Sequence, residues 1–380
     1  MSGVSDNMAL LEYSDKARIE LPQKADPPSK VASILLWVAV AISVACSFWY
    51  GYSLNSEVGL ATTAFALVPL AALVAISLLL VPRSEVSLPL RFLALLWGAV
   101  GSTNLTLLVV GRIENAVGPL SLNMQVVVQA PVVEELAKGI FVFALFFFFR
   151  SLIRTPLGGA GIGLLLGAGF AFVENIMYFN NSYNSGGWPL LWETVILRAG
   201  MSFFLHALAT MCIGLFIGYA ARNRNRFSWW RRVSFINMGL VSAMVVHGLW
   251  NGMASLTTIN AKWNVLYLCF WIPFVLVVTV ALFMLRRNYW DDRKKVILGM
   301  VKEGYVRMYQ AEQIVDGVQR KALYKHKPSA ELIRWESSIL RIYHWDEIIK
   351  SSRLKFIRSL AEKGKTKDTR RLMSVLQTVG

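Results

Sequence analysis

The sequence predicts an all-α fold: a polytopic membrane helical bundle of about eight transmembrane helices, with a helical cytosolic C-terminal region. Three observations predict it. Hydrophobic residues fill 55% of the 380 positions, charged residues only 16%, and mean hydropathy is +0.49. A soluble core cannot bury that much apolar surface, whereas a bilayer is itself an apolar solvent. The apolar residues form runs near the ~20 residues a helix needs to cross. Basic residues gather on alternate connections between those runs.

Residues 1–30 are polar and mixed in charge, as in a short cytosolic arm. The apolar run that follows starts too late and is too long for a signal peptide. Eight spans are expected, at about 31–52, 58–81, 89–110, 126–149, 157–179, 193–220, 233–256 and 264–285, which together make a membrane core of residues 31–287. Arg83, Arg91, Arg150, Arg154, Arg222, Arg224, Arg226, Arg231 and Arg232 follow the even-numbered spans, against Arg112 and Lys262 on the other side. That bias places both termini in the cytoplasm. The segment with Asn180, Asn181, Ser182, Asn184, Gly186 and Gly187 is then an outer loop.

The formal net charge of +16 belongs to these connections and to the tail, so the bilayer is the expected partner and nucleic acid is not. Residues 288–380 hold 20 Lys and Arg against 11 Asp and Glu. Leu332, Ile333, Trp335, Ile339, Leu340 and Tyr343 recur there at roughly helical spacing, as in a basic helical cytosolic domain. Cys46, Cys212 and Cys269 sit in apolar runs and no CxxC occurs, which excludes a disulfide framework.

The fifth span carries Gly159, Gly163, Gly167 and Ala171 at four-residue intervals. Such a stripe of small residues lets another helix approach closely in lipid, where packing drives association. Glu174 follows Gly167 by seven residues, two helical turns along nearly the same face.

Four spans carry polar groups that lipid rejects. Glu134, Glu135 and Lys138 lie on the fourth, Glu174, Asn175 and Tyr178 on the fifth, His206 and Thr210 on the sixth, and His247 and Asn251 on the seventh. Ionised groups at depth cost at least ~2.5–3.5 kcal/mol each, so they must face the bundle interior, pair, bind metal or meet water. With the topology above, all four sets fall in the outer half of the membrane, and one site built from four helices is expected.

Two neutral imidazoles and a carboxylate form a zinc-binding set that leaves a position for water. His206, His247 and Glu174 fit that set, with Glu134 or Glu135 as the general base. Lys138 can hold one glutamate ionised, and Asn251 can hydrogen-bond an oxyanion. Arg198 either pairs with Glu193 or points into the cavity. Glu134 shares a helix face with Lys138 at i+4, which leaves Glu135 as the narrowly preferred base. Pairing of Lys138 with Glu135 at i+3 would reverse that preference. HExxH is absent, which excludes a site-2-type motif.

The same residues resemble the signature of a known family. The segment Pro131–Gly139, reading PVVEELAKG, looks like the EExxK motif of PrsW-type intramembrane metalloproteases. Phe170–Tyr178, FAFVENIMY, resembles that family's FxxxENxxY, His206–Thr210 its HxxxT, and His247–Asn251 its HxxxN. The likeness covers roughly residues 90–256, with four motifs in order. It implies a bacterial cell-membrane protease related to type II CAAX-processing enzymes, cutting a membrane-anchored, anti-sigma-factor-like substrate. The motif residues would be catalytic and metal-binding, and the cofactor a divalent metal, zinc in first place. The CAAX-processing relatives usually carry His where this chain has Glu174. Two other classes compete: a catalytically inactive scaffold subunit of the same fold, and a proton-coupled transporter using Glu and His as a relay. No inverted repeat supports the transporter.

Overall fold

A computed structural model of the chain describes residues 58–82, 85–149, 152–223, 226–259, 263–302, 362–363 and 365–367. The expected arm, the first span at 31–52 and most of the basic tail lie outside the described residues. All regular structure among the described residues is helical. The chain divides into two compact units, residues 29–285 and residues 1–28 with 286–380. Of the second, the described part is mainly helical residues 286–302, with the solvent-facing pair Arg287–Asp291 at 4.0 Å.

In the first unit, α1 (Gly59–Leu80) leads through a short corner to α2 (Leu88–Leu96). A π-helical turn, Trp97–Ser102, joins α2 to α3 (Thr103–Val117). A second π turn, Gln125–Gln129, opens α4 (Ala130–Phe148). The long α5 (Pro156–Val195) is followed by a third π turn, Ile196–Met201, then α6 (Leu205–Arg222), α7 (Trp229–Ile259) and α8 (Trp263–Lys302), whose residues from 286 on belong to the second unit.

Five stretches of the described residues are long and apolar enough to cross a membrane: Gly59–Leu80, Leu88–Val117, Pro156–Arg222, Trp229–Leu256 and Val265–Asp291. This is a multi-pass membrane protein. The 67-residue stretch Pro156–Arg222 is far longer than one crossing needs. Helix α4 is 19 residues long but carries Glu134, Glu135 and Lys138.

Two expectations are corrected here. Residues 180–185 are helical rather than a loop, and α5 departs from helical geometry only at Gly186 and Gly187. Gly187 sits at φ 65°, which L side chains rarely adopt, so the chain reverses there. Asn180 holds the helix going: its side-chain amide donates to the Ile176 carbonyl at 2.9 Å and to Thr62 Oγ1 on α1 at 3.1 Å. The chain then folds back along α5, with Ser182 and Thr194 hydroxyls 2.7 Å apart. The sixth span is also not one helix. It breaks at Ser202–Phe204, so His206 lies in the first turn of α6 rather than mid-span.

Helix α5 is the hub of the unit, and its glycines make it so. A Cβ at Gly159, Gly163 or Gly167 would lie 2.0, 2.4 or 2.1 Å from the carbonyl oxygens of Gly214, Thr210 or His206 on α6. On another face, a Cβ at Gly169 would lie 2.1 Å from the Leu95 carbonyl oxygen of α2. Backbone-to-backbone packing of this kind gains dispersion contact and loses little side-chain entropy. Arg91 is a buried corner residue rather than a free loop charge. Its guanidinium donates to the Val86 carbonyl at 3.0 Å, to the Ser77 carbonyl at 2.9 Å, and to the Val81 carbonyl, tying α2 to the end of α1.

Candidate metal centre

The glycine stripe of α5 points at the site. Gly167 abuts the His206 backbone, and two turns on, Glu174 Oε2 meets His206 Nε2 at 2.6 Å. Three further polar sets converge on the same place. Lys138 on α4 is wholly buried; its ammonium lies 2.8 Å from Glu135 Oε1, 3.3 Å from Glu134 Oε2 and 3.3 Å from His206 Nδ1. It also sits 3.8 Å from the Phe170 ring centroid, a cation–π contact from α5. His247 on α7 places Nδ1 3.0 Å from Glu135 Oε1 and Nε2 3.9 Å from Glu134 Oε2. The two imidazoles meet edge to face, 4.8 Å between centroids.

The expected role split between the glutamates rested on Lys138 pairing with Glu134; the structure pairs Lys138 with both, and more closely with Glu135. Glu135 takes the shorter contact, at i+3. Its other oxygen accepts from Thr210 Oγ1 at 2.9 Å. Glu135 thus receives Lys138, His247 and Thr210, and is fully buried. Both lone-pair-bearing atoms are committed, and nothing of it reaches open space.

Glu134 differs. With Glu174, His206 and His247 it lines a cavity of about 420 Å³. Asn175, Tyr178, Arg198, Trp250 and Asn251 line it too, whereas Glu135, Lys138 and Thr210 stand behind the wall. Donor atoms from Glu134, Glu135, His206 and His247 all lie within 4.8 Å of one another, and all four residues are buried. Glu174 stands just outside that group, held by His206 and by Arg198 Nη2 at 2.6 Å.

Arg198 therefore points into the cavity. It bonds Glu174 and the Asn175 side-chain oxygen (2.9 Å), and stacks over Tyr178 at 3.8 Å, while Glu193 is exposed. Asn251 donates its amide to the Val126 carbonyl at 2.9 Å, so it pins the second π turn to α7. That amide hydrogen is committed, and its oxyanion role would fall to the second one. Sequence reasoning did not single out Trp97, whose indole donates to the Ala137 carbonyl at 3.1 Å, nor Thr106, Gln129 and Tyr267 on the cavity wall. Gln129 closes a π turn, a geometry with no sequence signature but one frequent near functional sites.

A family model described as PrsW family intramembrane metalloprotease matches residues 87–283, just over half of the chain. The chain belongs to the PrsW family. The match runs from α2 into α8 and so takes in every residue of the centre. No curated protein and no solved structure matches it.

PrsW membership makes this a metallo-endopeptidase of the membrane and implies a divalent metal, which the donor set fits. Three carboxylates, Glu134, Glu135 and Glu174, meet two fixed cations, Lys138 and Arg198, in buried or part-buried surroundings. The formal balance leaves one negative charge in excess. Buried charge needs compensation, and a bound cation supplies it. His247 also gives Nδ1 to the Glu135 carboxylate, the arrangement that orients a metal-ligating imidazole, while His206 meets Glu174 through Nε2.

Proposed function

We propose that the chain hydrolyses a peptide bond of a membrane-anchored, single-span protein near the outer membrane face. An anti-sigma factor cut at its first site is the substrate class we favour. The supporting observation is that Glu134, Glu174, His206 and His247, and no other carboxylate or imidazole, line one cavity among the described residues.

In this reading His206, His247 and Glu174 hold the metal, with zinc the first choice for two imidazoles and a carboxylate. When bound, the metal lowers the pKa of a water and polarises the substrate carbonyl. Glu134 is the general base, since it faces the cavity and keeps only the longer Lys138 contact. Glu135 orients His247 through Nδ1, and Thr210 and Lys138 hold Glu135 in turn. Arg198, itself held by the Asn175 side-chain oxygen, fixes Glu174 against the edge of the cavity. Tyr178, stacked on that guanidinium, closes the same side.

Metal analysis of purified protein is expected to give about one ion per chain, as for a single site of this ligand type. The His206→Ala/His247→Ala double variant should lose it, and full retention there would remove the assignment.

The same reading has eight crossings, both termini in the cytoplasm of a bacterial cell, and a basic cytosolic region at 288–380 that takes no part in the chemistry. Its warrant is the alternating charge of the connections. With Cys46, Cys212 and Cys269 changed to Ala, a cysteine at Asn184 should react with an impermeant thiol reagent in intact cells. Cysteines at Asn225 and Ser351 should not. The opposite labelling pattern would invert the topology and the side on which cleavage occurs.

A further inference from the structure

The cavity has a second polar wall that the chemistry above does not use. Thr106 on α3, Gln129 at the end of the second π turn and Tyr267 on α8 all line it. They are only 8%, 8% and 5% exposed. Thr106 Oγ1, Gln129 Nε2 and Tyr267 Oη have no hydrogen-bond partner among the described residues. Native proteins leave few such groups, and here three from separate helices surround the space that also holds the reacting side chains. A ligand that brings the missing partners accounts for all three at once.

The chemistry of the wall defines that ligand. None of the three carries a charge, so the wall suits neutral amides rather than a phosphate or a metal ion. Gln129 Nε2 only donates and matches a carbonyl oxygen. The two hydroxyls donate or accept and match either a carbonyl or an N–H. A peptide bond inside a transmembrane helix is shielded, because its carbonyl is bonded within the helix. To be cut it must unwind, and each backbone group so freed lacks water in the membrane. Those groups need partners from the enzyme. The cavity, at about 420 Å³, has room for a short extended stretch, and Val110, Leu197 and Trp250 give its side chains apolar contact.

We propose that Thr106, Gln129 and Tyr267 form a subsite that hydrogen-bonds the unwound backbone of the substrate beside its scissile bond. This rests on the protease reading and adds the form in which substrate is held.

Thr106→Val, Gln129→Met and Tyr267→Phe keep each side chain's shape and remove its polar atom. The full chain in detergent would be given a quenched-fluorescent single-span peptide of Leu and Ala with a central Gly-Ser-Gly stretch. A second peptide carries an ester in place of the amide next to the mapped cleavage site. Each variant should melt at or above the wild-type temperature, because an unpartnered buried group has been removed. Its kcat/KM on the amide peptide should fall about tenfold, the size of one lost hydrogen bond. The loss should shrink on the ester peptide, which lacks one N–H and has a weaker acceptor.

A triple variant with unchanged kcat/KM would overturn the subsite and leave the wall as a water site, with the protease reading intact. A triple variant melting well below wild type would overturn it as well, by making the three groups structural. A wild type that cuts neither peptide would instead sink the protease reading, and the subsite with it.

Discussion

Glu134→Gln should fold, retain its metal and still bind a single-span substrate, yet cut it at least about 100-fold more slowly, the usual cost of losing a general base. The substitution preserves size and one acceptor oxygen. It removes a negative charge whose nearest cation, Lys138, sits at 3.3 Å and keeps its closer partner, Glu135, at 2.8 Å. The fold therefore loses little.

Glu135→Gln should behave otherwise. Its carboxylate accepts from Lys138, His247 and Thr210. An amide NH₂ in that position would face donors on every side. Taking the closer of its two carboxylates from a wholly buried ammonium, with Glu134 left at 3.3 Å, costs up to roughly 3–5 kcal/mol. Thermal melting, metal content and single-turnover cleavage of both variants separate the roles. A metal-free Glu134→Gln would make Glu134 a ligand and pass the base role to Glu174. Full activity in both variants would remove glutamate-assisted hydrolysis, and the scaffold and transporter classes would lead.

That pair shows where the sequence stops. The four polar sets were legible because lipid makes each such group expensive, so their conjunction is informative even before a fold is known. A close helix contact along the fifth span was legible for a related reason, the four-residue spacing of Gly159, Gly163 and Gly167, whereas α6 as the partner was not. The choice between Glu134 and Glu135 was not. Positions i+3 and i+4 both bring a carboxylate to Lys138. What decides is the arrival of His247 from α7 and Thr210 from α6, which claim Glu135.

The helix limits failed for similar reasons. Asn, Ser and Gly favour turns by local bonding. Asn180 instead spends its amide on Ile176 and Thr62, and the helix runs on to the Gly186–Gly187 kink. The π turns at Gln125–Gln129 and Ile196–Met201 arise from tertiary fit, and they set the places of Gln129, Val126 and Arg198 on the cavity.

Gly167→Ala should cut activity by about 100-fold although the one methyl group it adds meets backbone atoms first, and it should lower the melting temperature. The new Cβ would lie 2.1 Å from the His206 carbonyl oxygen, 2.4 Å from its carbonyl carbon and 2.7 Å from Ala207 Cα. These are backbone atoms, so no side chain can swing aside. Helices α5 and α6 must separate by about 1 Å, and overpacking of that kind costs roughly 1–3 kcal/mol. The residue displaced first is His206, in the opening turn of α6, which shares one contact with Glu174 and another with Lys138. A shift of ~1 Å in a positioned group is enough for a 100-fold loss of rate. Gly111→Ala is the control, since a Cβ there meets nothing within 4 Å. It should melt within about 1 kcal/mol of wild type, on the favourable side, because alanine suits a helix interior better than glycine. Wild-type rates and metal content in Gly167→Ala would show that the glycine stripe is incidental to the centre. Loss of rate with metal retained would show that the α5–α6 contact sets the geometry in which His206 and Glu174 work together.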